Sequence, residues 1–407
     1  MKVLFLSYNG LLEPILSSQA VPYMKGLSRT GCEFTLLTYE KKKDLGRFKV
    51  SGVVKLRDDL RRDGIDWRHL RYHKNPRAIS TLFDLIAGAV YSLFLIISKK
   101  IDIVHVRGIT PGMIMLALSV MVKVKILFDM RGLLAEEYVG GGMLKDDSIM
   151  FRLVKKAEKN MLLRADAVTV LTRKHLDLNR KLDYLASRDI PMEVIPCCVD
   201  VSKFYYDEAA ARRMRDALGL NDKFILMYPG KLGTFYFIDD MLNFFACLLK
   251  MRPEAVFLIV THDDPRIITA RAGAIGISSD KIVVKTGIKF DDMPSYMRIA
   301  DAGIFFINPY KKMGSSPIKM GEFLASGVPV IINPGIGDTE DIVRENQVGV
   351  VVSELNERSY ERSVSDLSDL LKSGDVLKKR CRTTASRYLS VEDGVEKYKK
   401  IYGLLYQ

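Results

Sequence analysis

GSSPIKMGEFLASGVPVI, residues 314–331, is the stretch that most clearly indicates the fold. An apolar run ends near Ile307 before it, the Gly, Ser and Pro residues are typical of a loop, and Pro317 is suited to open a helix. Gly327 can end that helix before the next apolar run, residues 328–332. Strand, loop, helix and strand in this order predict one unit of a parallel sheet covered by helices.

The same alternation extends in both directions along the chain. Apolar runs that predict strands lie at 1–7, 34–38, 103–106, 125–128, 167–171 and 192–196, and again at 224–228, 255–260, 282–284, 303–307 and 328–332. We therefore predict an α/β protein with two Rossmann-like doubly wound domains. Their expected limits are 1–200 and 201–385, with a C-terminal helix in 386–407 that crosses back to the first domain. Ligands of such sheets bind beyond the carboxyl ends of the strands, so a cleft between the domains is the expected site.

Length, composition and charge agree with this organisation. The 407 residues are enough for two large domains, and 48% hydrophobic residues exclude a mainly disordered chain. The net charge of +13 favours an anionic partner. Five cysteines without CxxC or Cys/His ligand spacing favour a reducing compartment, so we expect a cytoplasmic protein.

The predicted helix after Pro317 has the chemistry of an anion site. Backbone N–H groups at the start of a helix point at whatever anion lies there, and the helix dipole favours negative charge. Lys319 falls in the first turn, where a cation is locally unfavourable unless a phosphate neutralises it. Glu322, about one turn later, can accept hydrogen bonds from vicinal hydroxyls. Together these groups predict a site for a nucleoside diphosphate.

Six motifs in order along the chain carry a resemblance to a known family. They are SQAVPYMKGL (18–27), DIVHVRG (102–108), DMRGL (129–133), VIP with VD (194–196 and 199–200), YPGKLGT (228–234) and SSPIK (315–319). With these motifs the chain resembles the GT-B glycosyltransferases of the large retaining family 4, of a type that acts in bacterial cell-surface polysaccharide synthesis. The resemblance implies a retaining sugar transfer from a nucleoside-diphosphate sugar to a saccharide or lipid-linked acceptor, with no metal or other cofactor.

The resemblance also implies roles for residues of the second domain. Glu322 matches the glutamate that binds the nucleotide ribose, and Lys231 matches a basic residue that contacts the diphosphate. Ser315, Ser316 and Pro317 match the loop that approaches the donor phosphates and sugar. The loop with Gly287 and Ile288 corresponds to one that packs on the nucleobase.

Two positions depart from the family pattern. Gly314 stands where the family has a second glutamate, so a contact to the donor hexose is missing or supplied elsewhere. Tyr236 stands where the family has a second cation, and we expect Lys319 to substitute for it. Lys231 and Lys319 are accordingly the expected catalytic cations, which stabilise the departing diphosphate.

Three residues of the first domain complete the candidate site. His105 and Arg131 lie at the ends of neighbouring predicted strands and are expected to be catalytic, although a buried core histidine is an equal alternative for His105. An arginine followed by glycine at a strand end tends to meet an anion, such as a donor phosphate or a lipid-linked acceptor. Gly10 is expected to let the first loop approach the donor, although a plain turn glycine would look identical.

The segment 41–97 is separate in character. Residues 41–77 contain thirteen Lys and Arg against five Asp and Glu, and residues 85–97 contain no charge. One interpretation is a loop with a solvated basic face followed by a core helix. The other is a lobe that docks on anionic lipid at the inner face of the plasma membrane. The 13-residue apolar run is expected to be too short to cross a bilayer, and no nucleic-acid motif accompanies the charge.

Two alternative functions stay open beside the glycosyltransferase. One is a sugar-nucleotide 2-epimerase on the same fold, which would need further acidic residues at the site. The other is a catalytically silent glycosyltransferase-like partner protein, which Gly314 suggests. Release of free nucleoside diphosphate in the presence of an acceptor would distinguish the transferase from both.

Overall fold

The computed structural model describes residues 1–73, 75–233 and 235–406, except the side chains of Arg77 and Ala78. The chain forms two compact units, Met1–Pro196 with Val391–Gln407, and Cys197–Ser390. The divisions lie four and five residues from the expected limits. Val199 and Leu389 both belong to the second unit, because the N–H of Val199 donates to the carbonyl of Leu389 (2.7 Å). The first division therefore lies before Val199 and the second after Leu389.

The first unit contains a parallel sheet of seven strands over its described residues, in the order β3-β2-β1-β4-β5-β6-β7. Its elements are β1 (Lys2–Ser7), α1 (Pro14–Gln19), α2 (Val21–Ser28), β2 (Glu33–Glu40), α3 (Lys42–Arg62), β3 (Ile65–Arg71), α4 (Arg77–Lys99), β4 (Ile103–Arg107), α5 (Ile109–Leu118), β5 (Lys125–Met130), α6 (Leu134–Gly140), α7 (Ile149–Arg164), β6 (Ala167–Val170), α8 (Arg173–Arg180) and β7 (Met192–Val194). The central strands are buried on both faces, which explains their nearly unbroken apolar sequences.

The second unit contains a parallel sheet of six strands over its described residues, in the order β10-β9-β8-β11-β12-β13. Its elements are α9 (Glu208–Leu218), β8 (Ile225–Pro229), α10 (Ile238–Met251), β9 (Val256–Thr261), α11 (Pro265–Ala274), β10 (Ile282–Thr286), α12 (Met293–Met297), β11 (Ala302–Phe305), α13 (Ile318–Ala325), β12 (Val330–Ile332), α14 (Thr339–Asn346), β13 (Gly349–Val351), α15 (Glu357–Leu371) and α16 (Gly374–Tyr388). The predicted class of two Rossmann-like doubly wound sheets is confirmed.

The last helix, α17 (Val391–Tyr406), packs in the first unit. It lies against α2, where the side chain of Val395 occupies the space that a Cβ at Gly26 would need. Tyr398 and Tyr402 of α17 are buried to 1% exposure and contact the sheet residue His105. The helix therefore completes the core of the first unit.

The charged stretch 41–77 differs from the loop that one interpretation expected. It contains the helix α3, interrupted at Lys49, and the edge strand β3. Trp67 of β3 is fully buried, and its indole N–H donates to the hydroxyl of Thr38 (2.9 Å). A few apolar residues thus suffice to pack this segment against the sheet. Because they are widely spaced, the sequence pattern did not predict the helix. Lys74 lies outside the described residues.

The apolar run at 85–97 is part of a longer helix than the sequence predicted. α4 has 23 residues. Within the described part of the chain, Ile79–Lys99 is the one segment long and apolar enough to cross a membrane, and about a third of it is buried in the protein. The expectation that the run is too short to span a bilayer was therefore wrong. Length and composition alone do not show that it does so, since core helices of soluble proteins meet the same criteria.

Candidate functional site

The loops at the carboxyl edge of the second sheet are tied to one another by hydrogen bonds. The N–H of Leu232, after β8, donates to the Asp263 carboxylate, after β9 (2.6 Å). The Asn333 side chain, after β12, both accepts from the N–H and donates to the carbonyl of Ile307, after β11 (2.8 Å each). Parallel strands put all these loops at one edge, and the bonds hold their backbone in place.

The loop before α13 is also held by the backbone of the second unit. The Ser316 hydroxyl accepts from the N–H of Cys197 (3.2 Å), and the N–H of Ser315 donates to the carbonyl of Lys312 (3.0 Å). Pro317 directly precedes the first residue of α13, as the sequence predicted. The first N–H groups of a helix have no acceptor within the helix and are available to a ligand.

Lys319, in the first turn of α13, carries a buried ammonium. The side chain is 7% exposed, and its Nζ lies 3.8 Å from the ring centroid of Tyr236 and 4.7 Å from that of Tyr228. Among the residues that the structure describes, this ammonium has no hydrogen-bond or ion-pair partner. Aromatic faces offset part of the cost of burying a cation, but an anion would offset more.

The turn after β8 approaches the same ammonium. Gly230 has φ +149°, and a Cβ there would lie 3.0 Å from the Nζ of Lys319 and 3.0 Å from the hydroxyl of Tyr228. That hydroxyl donates to the carbonyl of Lys231 (2.6 Å). The backbone of Lys231 therefore lies near the Lys319 ammonium. The side chain of Lys231 is exposed. Thr234, the last residue of this motif, lies outside the described residues.

Glu322 lies one turn beyond Lys319 and is 6% exposed. Burial raises the pKa of its carboxyl to about 7, against the opposing effect of the Lys319 charge. Its carboxylate makes no hydrogen bond within the described part of the chain. An unused acceptor and a cation without an anion thus lie side by side on α13.

The loop with Gly287 and Ile288 follows β10, which is separated from β8 by β9. Gly287 has φ +72°, a conformation that favours glycine, and Ile288 packs partly against the core of the second unit. These two residues share the carboxyl edge with Lys319 but lie two strands away from Gly230. Gly314 is buried in the loop after β11.

At the carboxyl edge of the first sheet, two arginines surround one carboxylate. Asp129, 1% exposed, lies 3.1 Å from Nη1 of Arg107 and 3.6 Å from Nη1 of Arg131. The side-chain oxygen of Gln19 accepts from both arginines (3.0 and 3.1 Å). Burial would raise the pKa of Asp129, but Arg131, His105 and Arg107 hold it well below its usual range. Gln19 belongs to the first motif, yet nothing in its sequence context predicted this bridge.

His105 does not fit the catalytic role that the sequence suggested. Its ring is 1% exposed, its Nδ1 lies 2.6 Å from the hydroxyl of Tyr402, and its Nε2 lies 3.5 Å from Asp129. Burial lowers the pKa of the imidazole. A side chain enclosed in this way does not touch a substrate, so the alternative of a core histidine describes it better.

The structure offers an explanation for the glycine at position 10 that does not involve a donor. A Cβ at this position would lie 2.5 Å from a carboxylate oxygen of Glu40 and 3.0 Å from the carbonyl of Tyr39. The Glu40 carboxylate accepts from the N–H groups of Leu11 and Leu12 (2.5 and 3.2 Å). The absent side chain therefore makes room for the carboxylate that holds the first loop.

The aromatic rings around Lys319 were missed by the sequence analysis. Tyr228 lies in a strand and has the pattern of a core residue, while Tyr236 was noted only as the position of an absent cation. No group of three or more His, Cys, Asp or Glu side chains arranged to hold a metal occurs among residues 1–73, 75–233 and 235–406.

Comparison with known proteins gives two family matches. Residues 18–198 match the family described as glycosyl transferase 4-like domain, and residues 306–379 match the glucosyltransferase 3-like C-terminal domain. A curated relative is the GDP-mannose-dependent alpha-(1-6)-phosphatidylinositol monomannoside mannosyltransferase of Mycolicibacterium smegmatis, 26% identical over 184 residues, 43% of this chain and 47% of the relative. The chain thus matches about half the length of this relative.

Solved structures match over the whole chain. Sucrose-phosphate synthase from Thermosynechococcus elongatus has a TM-score of 0.75 at 16% identity, with 100% of this chain and 99% of that chain covered. HepE of Anabaena in complex with UDP has a TM-score of 0.71 at 11% identity, with 99% and 100% covered. The class is therefore the GT-B fold. Within this fold, the chain is similar to family 4-like glycosyltransferases over residues 18–198.

Proposed function

We propose that this protein transfers a sugar, with retention of anomeric configuration, from a nucleoside-diphosphate sugar to a saccharide or lipid-linked acceptor. The observation that carries the proposal is the buried ammonium of Lys319, which has no anionic partner in the described part of the chain and lies beside Gly230. The names of two similar proteins support a nucleotide donor, since one is GDP-mannose-dependent and the other was solved with UDP. The two nucleotides differ, so the base stays open.

In this proposal the second unit binds the donor. The N–H groups at the start of α13, Lys319 and Lys231 bind the diphosphate, and the Glu322 carboxylate accepts hydrogen bonds from the ribose hydroxyls. Ser315, Ser316 and Pro317 approach the phosphates and the sugar, and the backbone of Gly287 and Ile288 approaches the base.

The chemical step needs charge stabilisation. The bond between the anomeric carbon and the phosphate oxygen breaks, and its electron pair leaves with the diphosphate. The acceptor hydroxyl forms the new bond on the same face, and its proton passes to a departing diphosphate oxygen. Lys319, Lys231 and the helix start stabilise the developing negative charge, which is commonly the largest contribution to such rate enhancement. No step in this scheme needs a metal.

The acceptor and the location are parts of the same proposal. Arg131 and Arg107 face the carboxyl edge of the first sheet, where a phosphate of a lipid-linked acceptor would meet two guanidinium groups. The relative from Mycolicibacterium smegmatis is named for a phosphatidylinositol acceptor. We accordingly propose a cytoplasmic enzyme, peripheral at the inner face of the plasma membrane through 41–97, that acts in cell-surface polysaccharide synthesis.

The test is acceptor-dependent release of nucleoside diphosphate from a panel of nucleotide sugars, with and without EDTA. The donors are first ranked by thermal stabilisation of the protein, because a bound ligand shifts the folding equilibrium. The anomeric configuration of the product is then read by NMR. Epimerised donor without transfer would indicate the epimerase, and binding without turnover of any donor would indicate the silent partner.

A further inference from the structure

We propose that the outward face of α4 docks in the interfacial region of an anionic lipid bilayer, with the helix lying along the membrane surface rather than crossing it. This inference rests on the proposed function and specifies which part of 41–97 makes the membrane contact.

The outward face of α4 is a continuous apolar stripe. Six large apolar side chains follow one another at intervals of three or four residues, the spacing of one helix face. Each is between 57% and 69% exposed: Ile79, Phe83, Ile86, Val90, Phe94 and Ile97. Soluble proteins rarely expose so large a contiguous apolar surface without a partner for it.

The opposite face of α4 is anchored to the first unit. The carboxylate of Asp84 accepts from the hydroxyl of Tyr8 (3.1 Å) and from the N–H of His73 (3.0 Å). The backbone carbonyl of Asp84 accepts from the hydroxyl of Tyr39 (2.8 Å). Gly88 leaves no room for a Cβ against Tyr39. A helix that crossed a membrane would turn the Asp84 carboxylate toward lipid and lose these bonds, so the anchored face favours a helix parallel to the surface.

The charges around α4 select lipid as the partner. In the sequence from 71 to 100 the basic residues occur only near the two ends, at Arg71, Lys74, Arg77, Lys99 and Lys100, and of these Lys99 is ion-paired with Asp66. Asp84 is the one acidic residue of this stretch, and it is 1% exposed. An apolar face with cations at both ends matches acyl chains below anionic headgroups. Association with a second copy would instead bring together two chains of net charge +13.

The direction of α4 connects this surface to the proposed acceptor site. α4 begins after β3, at the carboxyl edge of the first sheet, and Arg107 and Asp129 lie at the same edge. α7 also begins on that side, after β5 and α6, and exposes Ile149 (80%) in its first turn. A membrane along α4 would therefore present lipid-linked acceptors at the same edge of the sheet as the two arginines.

The test is flotation of the full chain with vesicles of phosphatidylcholine alone or with phosphatidylglycerol, at low and high salt. We expect binding to the anionic vesicles that weakens with salt. The variant Phe83→Gln with Phe94→Gln is expected to bind them at least tenfold more weakly. The matched control, Val376→Gln with Ile275→Gln, changes two exposed apolar residues of the second unit and should bind like the parent. Both variants should keep the circular dichroism and the Trp67 fluorescence of the parent.

Each other outcome contradicts the inference in a distinct way. Equal binding of the Phe83 and Phe94 variant would show that another surface makes the contact. Resistance of bound protein to extraction with alkaline carbonate would indicate a spanning helix. A parent dimer that this variant converts to a monomer, without vesicle binding, would indicate a second copy as the partner. Release of nucleoside diphosphate with a soluble saccharide acceptor is measured in parallel, so that failure of docking and failure of the proposed function are separate results.

Discussion

The two units differ in how they neutralise buried charge at the carboxyl edges of their sheets. In the first unit, Arg107 and Arg131 flank the carboxylate of Asp129 and share the side-chain oxygen of Gln19. In the second unit, the ammonium of Lys319 faces aromatic rings, and no counter-charge pairs with it among the described residues. The first edge therefore supplies one anion of its own against two arginines, while the second edge supplies none to Lys319 within its described residues and depends on a ligand for its anion. Charge removal should accordingly cost stability in the first unit and function in the second.

The largest expected effect is on the stability of the first unit. Asp129→Asn leaves the buried Arg107 and the partly buried Arg131 without their carboxylate, so we expect the unfolding free energy to fall by about 3 to 5 kcal/mol. Urea unfolding followed by the fluorescence of Trp67 measures this directly, because it is the single tryptophan and lies in β3. The control Asp59→Asn removes a partly exposed carboxylate of α3 and should change the value by less than about 0.5 kcal/mol. Equal effects of the two changes would show that the Asp129 carboxylate does not stabilise the first unit.

Lys319→Met keeps the apolar stem over the aromatic rings and removes the charge. We expect turnover to fall by about 10²- to 10³-fold, because the departing diphosphate loses a preorganised cation. The unfolding free energy should stay the same or rise, since a buried unpaired charge is removed. The exposed Lys372→Met is the matched control in the same unit. A large loss of stability in Lys319→Met with normal turnover would show that this charge stabilises the second unit rather than serving its function.

Glu322 makes the stability of the second unit depend on pH in the neutral range. Its carboxyl has a pKa near 7 in the folded chain against 4.5 for the ordinary group, so the folded state retains a proton that the unfolded state has lost between these values. Stability should therefore fall as pH rises from 4.5 to 7, by about 3 kcal/mol relative to Glu322→Gln. Calorimetric scans of parent and variant between pH 4.5 and 8 measure the difference. Parallel pH profiles would show that the carboxyl titrates normally.

The same variant tests ligand binding. Because the ionised carboxylate is the acceptor proposed for the ribose hydroxyls, the affinity for UDP or GDP should rise from pH 6 to 8 more steeply in the parent than in Glu322→Gln. The variant serves as the control for titration of the nucleotide phosphates themselves.

The smallest effect concerns the turn beside Lys319. Gly230→Ala puts a methyl group 3.0 Å from the ammonium and from the Tyr228 hydroxyl, so we expect nucleotide affinity to fall by about tenfold. Gly219→Ala is the control for backbone strain alone, since Gly219 also has positive φ but nothing within 4 Å of an added Cβ. Titration calorimetry with UDP and GDP measures the affinities of both variants. Weaker binding by Gly230→Ala alone would place the nucleotide beside the Lys319 ammonium. Loss of affinity in both variants would attribute the effect to strain.

The sequence predicted the fold well where strands are buried on both faces. Runs such as Leu226 to Tyr228 and Val256 to Val260 are unbroken apolar segments because helices cover both sides of a parallel sheet. It failed for α3 and β3, which lie at the sheet edge and are mostly charged, and for β13, which has three residues. Such elements are stabilised by a few tertiary contacts, so the local periodicity of the sequence does not predict them.

The candidate site was predictable only in part, for the same reason. Lys319 and Glu322 could be found because one helix carries both at a fixed spacing. The contacts of Lys319 with Tyr236 and Tyr228 join segments far apart in sequence, as does the bridge from Gln19 to Arg107. His105 has the sequence position of a strand-end active residue, but the last helix covers it, and only the fold reveals that.

A crystal structure of the chain with UDP and another with GDP would test the central claim most directly. The account predicts that in at least one of them the diphosphate lies about 3 Å from the ammonium of Lys319 and from the first N–H groups of α13. A diphosphate bound instead beside Arg107 and Arg131, with Lys319 still facing only its aromatic rings, would contradict it.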